Sequence, residues 1–168
     1  MNWEIKKYLL LFFCIGSFFL APISFASTFV STSGSQLMIG KNIFIPKGVS
    51  FMDEASLWNA STTKPGSELR ESDYAWVEAK GFNSIRLAVK ADYFDGSAGF
   101  KWLDQQIVWA RAHGLRILLD MHIPTGGKQE DYQPSVANDL FWHSPEMLMR
   151  FADTWRRLAS RYSNESVI

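Results

Sequence analysis

The chain has 168 residues, with 17 Lys plus Arg balanced by 17 Asp plus Glu, so its formal net charge is zero. With 47% hydrophobic and 15% aromatic residues it carries too much apolar side chain for a disordered segment. The balanced charges are spread along the chain without runs, which leaves no basic field of the kind that binds nucleic acid.

The first element is a leader. Lys6 and Lys7 precede an apolar block from Tyr8 to Leu20, followed by Pro22 and by the small residues Ser24 and Ala26 on either side of Phe25. A positive start, an apolar core too short for a comfortable membrane span and small residues at the cleavage positions predict a signal peptide over 1–26. Cleavage is expected between Ala26 and Ser27. The mature protein would be secreted, to the extracellular space or the periplasm, with no membrane attachment. Cys14 is the only cysteine and lies inside this block, so the mature chain would have no disulfide and must rely on core packing.

Residues 27–36 read as a polar linker. The stretch 37–45 reads as two short strands around Gly40-Lys41-Asn42, a hairpin signal. Residues 45–51 are strand-like and run into a turn-rich aromatic stretch, 52–66. A helix is expected over 68–80, with Leu69, Tyr74 and Val77 inward and Gly81 as its stop. A strand follows at 82–89, then a helix over 100–113 with Phe100, Leu103, Ile107 and Ala110 on one face and Gly114 after it. The next strand is 115–123. Ser144-Pro145-Glu146 opens a third helix, with Ser at the N-cap, Pro in the first helical position and an acid in the first turn. Its apolar stripe is Leu148, Phe151, Trp155, Leu158, Ala159 and Tyr162, and Ser166-Val167-Ile168 reads as the opening of another strand.

Strands alternating with helices predict parallel βα units, arranged either as a doubly wound sheet or as a (β/α)8 barrel. The polar residues inside the strands discriminate between the two. Side chains alternate across a strand, so Ser84, Arg86 and Ala88 share one face, as do Leu118, Asp120 and His122. Helices must cover the apolar faces, so Arg86, Asp120 and His122 should point away from them. A barrel interior near the C-terminal strand ends accommodates such groups; a sheet with helices on both faces does not. Arg86 fits an internal ion pair with Asp120 and a site role equally. His122, at the end of its strand, is the stronger site candidate, and Asp120, one layer deeper, supports its neighbours. No phosphate-binding loop, dinucleotide fingerprint or nucleophile elbow is present. His113, His122 and His143 lack metal-site spacing, so neither metal nor cofactor is expected, and His113 reads as a helix C-terminal residue.

These residues resemble glycoside hydrolase family 5, the cellulase family of (β/α)8 barrels. Residues 80–89 (KGFNSIRLAV) resemble its second-strand motif with the arginine. Residues 112–127 (AHGLRILLDMHIPTGG) resemble its third strand with Asp-x-His, and 151–168 resemble the helix leading to its fourth strand. The resemblance spans about Leu37 to Ile168, so 37–168 is read as an incomplete barrel domain: the hairpin and the first three βα units. It implies that Arg86 supports the catalytic carboxylates and that His122 lines the subsite of the sugar being cleaved. Tyr132 and Trp142, in the loop after the third strand, could stack on sugar rings or simply plug that loop. The chain departs from the family at Ser50, where many members carry asparagine after a Lys-Gly-Val-like segment. It also stops at Ile168, whereas the family's acid/base and nucleophile lie at the ends of the fourth and seventh strands. The implied function is the N-terminal portion of a secreted retaining β-glycosidase acting on a β-linked poly- or oligosaccharide. That reading makes the 168-residue chain inactive alone and makes the missing part of the barrel a candidate partner. The alternative is a non-catalytic remnant or carbohydrate-binding module.

Overall fold

The computed structural model describes residues 29–52, 65–66, 68–125 and 141–168. The leader over 1–26 and Tyr132 lie outside these residues. Two three-stranded sheets are formed. The first is antiparallel: β1 (Val30–Ser33), β2 (Gln36–Ile39) and β3 (Asn42–Ile43). The second is parallel, in the order β4 (Gly48–Met52), β5 (Ser84–Lys90), β6 (Arg116–Ile123). Helix α1 (Glu71–Ala79) joins β4 to β5, α2 (Ser97–Ala112) joins β5 to β6, and α3 (Pro145–Arg161) follows β6.

The hairpin at Gly40 is present, with Gly40 at a φ of 61° that favours glycine. One expectation is corrected here. The polar linker over 27–36 contains a strand, because Val30–Ser33 pairs with Gln36–Ile39 around Gly34, which also has positive φ. The segment reads as a linker because every residue of β1 is exposed, so no apolar alternation marks it.

The apolar faces of β4, β5 and β6 meet all three helices on the same side. Ile85, Leu87 and Val89 of β5 and Ile117 of β6 form one buried cluster with Tyr74 and Val77 of α1, Leu103, Ile107 and Ala110 of α2, and Leu158 of α3. Leu69 and Phe100 are partly buried against it. Gly81 and Gly114 follow α1 and α2 at φ of 76° and 64°, the left-handed conformation that closes helix C-termini. Ser144 caps α3 through its hydroxyl, which accepts from the Met147 amide at 3.3 Å, with Pro145 in the first position.

Two features were not legible as elements. A single 3-10 turn (Ala91–Phe94) after β5 delivers Tyr93 and Phe94 to the core, and α2 begins three residues earlier than its apolar stripe. The α3 stripe is also narrower than expected. Ala159 is exposed and Leu148 is 37% exposed, while Thr154 is buried. Thr154 and Leu158 are the buried residues of α3, and beside them Arg157 donates to the Phe94 carbonyl of the 3-10 turn at 2.7 Å. Beyond α3, the Ile117 amide donates to the Val167 carbonyl at 2.7 Å, so the chain end lies beside β6 as a starting neighbour strand would.

Among the described residues the other face of the parallel sheet carries no helix. Leu118 is 66% exposed there. The antiparallel sheet approaches its lower end, and the two enclose a mostly apolar groove of about 680 Å³ lined by Phe29, Leu37, Phe44, Leu118 and Ile168 among others. The described residues thus form the parallel βα units expected from the alternation of strands and helices.

Candidate functional site

The helix-free face gathers four polar side chains. The parallel register places Ser50, Arg86 and Leu118 in one row across β4, β5 and β6, and Ala88 beside Asp120 in the next but one. Arg86 is long enough to reach in two directions. Its Nη1 donates to Ser50 Oγ at 3.0 Å, and its Nη2 donates to Asp120 Oδ2 at 2.5 Å. His122 Nδ1 lies 3.1 Å from Arg86 Nη2 and 3.1 Å from Asp120 Oδ2. The three sequence candidates Arg86, Asp120 and His122 are thus brought together, on the side expected from strand alternation. The ion pair is half-open, with side-chain exposures of 37% and 28%, so its worth lies in orientation more than in stability.

Two positions differ from the expected geometry. Arg86 is the third residue of β5 and pairs with Leu118, four residues before His122, so it sits deeper than the strand ends. The register also slips after Val89: Val89 pairs with Met121 but Lys90 pairs with Ile123. This irregularity leaves His122 as an extra residue and breaks the alternation. Ile123, expected on the helix side, packs with Ala88 and Met52 on the site face. The bulge therefore re-aims the end of β6.

The sequence reading missed Ser50 as a partner of Arg86, although it marked the position as unusual; the hydroxyl supplies the polar contact there. It also missed Lys90. This residue ends β5 at 2% exposure with its ammonium 5.6 Å from the Tyr93 ring centroid. Burial pushes its pKa below the usual lysine range, with Asp92 acting in the opposite sense. Continuing the alternation from Arg86 through Ala88 would have flagged it. Asn83 is a further positioning residue: its side chain accepts from the Lys47 amide at 2.8 Å and donates to the Ile45 carbonyl at 2.9 Å, which locks the entry of β4 to that of β5.

Trp142 is not part of this cluster. It stands 69% exposed just before α3, with its ring edge-on to buried Phe141 at 4.9 Å. His113 is the C-cap of α2 and contacts Glu78 at 2.7 Å, a helix-end role as expected. Among the described residues no group of three His, Cys, Asp or Glu side chains could hold a metal ion. What the cluster can do is hydrogen-bond: it presents a cation, an anion and an imidazole on one open polar surface, the equipment for orienting hydroxyl-rich ligands or a further carboxylate.

The chain is similar to several known proteins. Endoglucanase C of Acetivibrio thermocellus is 30% identical over 105 residues, covering 58% of this chain and 29% of that protein. A probable glucan 1,3-beta-glucosidase A of Aspergillus clavatus is 31% identical over 108 residues, covering 60% and 26%. A beta-xylosidase of Phanerodontia chrysosporium is 28% identical, covering 58% and 23%. The chain thus spans less than a third of the length of these relatives. A solved structure described as a glycoside hydrolase shares the fold, with a TM-score of 0.55 at 18% identity over 70% of this chain and 37% of that one. The family model described as cellulase (glycosyl hydrolase family 5) matches residues 49–168, and the chain belongs to that family.

Proposed function

We propose that the chain is the N-terminal portion of a secreted retaining β-glycosidase that acts on β-linked glucans. The observation that carries this reading is the Ser50–Arg86–Asp120–His122 cluster on the helix-free face of a family 5 sheet. Glucan appears in the names of relatives aligned over this region, which favours a glucan over other polysaccharides.

In such an enzyme one glutamate protonates the leaving oxygen and a second, about 5 Å away, attacks the anomeric carbon. Among the described residues Asp120 is the carboxylate of the cluster, and Arg86 holds it. The reading therefore assigns the catalytic pair to later strands of a full (β/α)8 barrel. Arg86 would orient one of the two carboxylates, and His122 would contact a hydroxyl of the sugar being cleaved. Trp142, exposed and backed by Phe141, offers a flat surface for a further sugar ring.

The test is a reducing-sugar assay on the 168-residue chain with soluble β-glucans, with N-terminal sequencing of the exported product. The reading predicts Ser27 as the new N-terminus and no turnover. Turnover by the folded chain would place the chemistry on one of its own carboxylates, Asp120 first, with Asp53 and Glu54 outside the described residues as the next to test.

A further inference from the structure

Between α2 and α3 lies a groove of about 370 Å³, lined by Ser97, Phe100 and Lys101 of α2 and by Arg157 and Arg161 of α3. Spacings of three and four residues along each helix bring these side chains onto facing rows. The groove belongs to the helix layer, across the parallel sheet from the Arg86 cluster.

Phe100 gathers the two arginines. The guanidinium carbons of Arg157 and Arg161 lie 5.8 Å and 5.7 Å from its ring centroid. Bonds to the protein also fix both groups. Arg161 gives Nε and Nη2 to Asp104, and Arg157 gives Nη1 to the Phe94 carbonyl and Nη2 to Thr154 Oγ1. A guanidinium carries five N–H donors, so hydrogens remain on Arg161 Nη1 and on both Nη groups of Arg157.

Positive charge is in excess here. Asp104 neutralises Arg161, while Asp153 is shared by Arg156 and Arg157 at 2.9 Å and 3.3 Å. Lys101 adds an ammonium, so four cations meet two carboxylates. Guanidiniums already held in place lose little further freedom on binding, and their planar forks match the oxygens of a carboxylate or phosphate.

We propose that this groove binds an oxyanion, the carboxylate or phosphate of a ligand other than the β-glucan proposed above. Arg157 and Arg161 supply fixed donors, Lys101 supplies unshared charge and Ser97 supplies a hydroxyl. The site is independent of the glycosidase reading, since a neutral glucan carries no charge for it to recognise.

The experiment titrates the 15N-labelled full chain at pH 7 with inorganic phosphate and, separately, with glucuronate, ionic strength being held constant with chloride. Backbone amide and arginine Nε–H signals are followed. The expected result is saturable shifts centred on residues 97–101 and 157–161. Lys101→Gln should weaken binding several-fold and Lys101→Glu roughly tenfold, with near-ultraviolet circular dichroism unchanged because Lys101 is exposed. Saturation by phosphate alone assigns a phosphate-bearing ligand, by glucuronate alone a carboxylate-bearing one, and by both the chemistry they share. No saturable shift with either probe overturns the proposal. So do shifts centred on Arg86 and His122 instead, or equal affinity in wild type and folded Lys101→Glu.

Discussion

Tyr74 and Gln106 are both buried in the helix layer, and the Tyr74 hydroxyl donates to Gln106 Oε1 at 2.8 Å. Burial, with a contribution from Asp73, holds the Tyr74 hydroxyl well above its ordinary pKa, so it remains a donor at any working pH. Tyr74→Phe strands the Gln106 carbonyl, and a buried unsatisfied acceptor costs about 1–3 kcal/mol. Urea denaturation should show that loss, and Tyr74→Phe with Gln106→Leu should recover part of it. Tyr74 was legible as inward from helical periodicity; Gln106 was not, because a glutamine on an apolar face carries no hydropathy signal. The site residues divide in the same way. Arg86, Asp120 and His122 were legible because a period of two assigns a face to each strand residue. Ser50 and Lys90 escaped because their roles depend on which strands are neighbours and on how deep the strand end lies. Ile123 changed faces at a bulge, which the sequence does not announce.

At the scale of elements, strand and helix order followed from periodicity and from Gly81 and Gly114. What periodicity missed are elements held by close approach. Gly99, in the first turn of α2, is an example. A Cβ at this position would lie 2.2 Å from the Tyr93 carbonyl oxygen, which is backbone and cannot swing away. Helix propensity favours alanine over glycine by about 1 kcal/mol, whereas overpacking costs about 1–3 kcal/mol. The clash should win: Gly99→Ala is expected to lower the melting temperature, and an unchanged or raised one would mean that α2 slides freely on the 3-10 turn.

Helix α3 is tied to α2 through Asp104, which accepts from Arg161 Nη2 at 2.5 Å and from the Tyr162 hydroxyl at 2.9 Å. Partial burial pushes the Asp104 carboxyl up, but the hydrogen bonds from Arg161 and Tyr162 outweigh it and hold the pKa below its usual range. The Tyr162 hydroxyl, pushed up to about 12 by burial and by its bond to Asp104, stays protonated. A depressed carboxyl pKa contributes stability above the unfolded value, about 4, that is lost as pH falls through the folded value. Asp104→Asn should therefore destabilise at pH 7, by less than about 1 kcal/mol because the pair is half-exposed. The gap to wild type should close below about pH 4. A gap constant from pH 7 to pH 3 would contradict the linkage.

At the scale of the whole molecule, the helices among the described residues cover one face of the parallel sheet, and the other carries a polar cluster above an apolar groove. In the proposed barrel the later strands would complete the wall around Leu118 and the Arg86 cluster. Exposed apolar surface of this kind makes the 168-residue chain prone to association, so concentration-dependent self-association is expected. The central claim is that the cluster on the helix-free face recognises β-linked glucan. Its most direct test is isothermal titration of the full chain with a soluble β-glucan oligosaccharide, for wild type, Arg86→Ala and His122→Ala, with an α-linked oligosaccharide as control. Arg86→Ala removes the cation that holds Asp120 beside His122, and His122→Ala deletes a hydrogen bond to the sugar worth about 0.5–1.5 kcal/mol, so each variant should bind several-fold more weakly than wild type, with no binding of the α-linked sugar. Equal affinity in wild type and Arg86→Ala, or no binding by the folded wild-type chain, would contradict it.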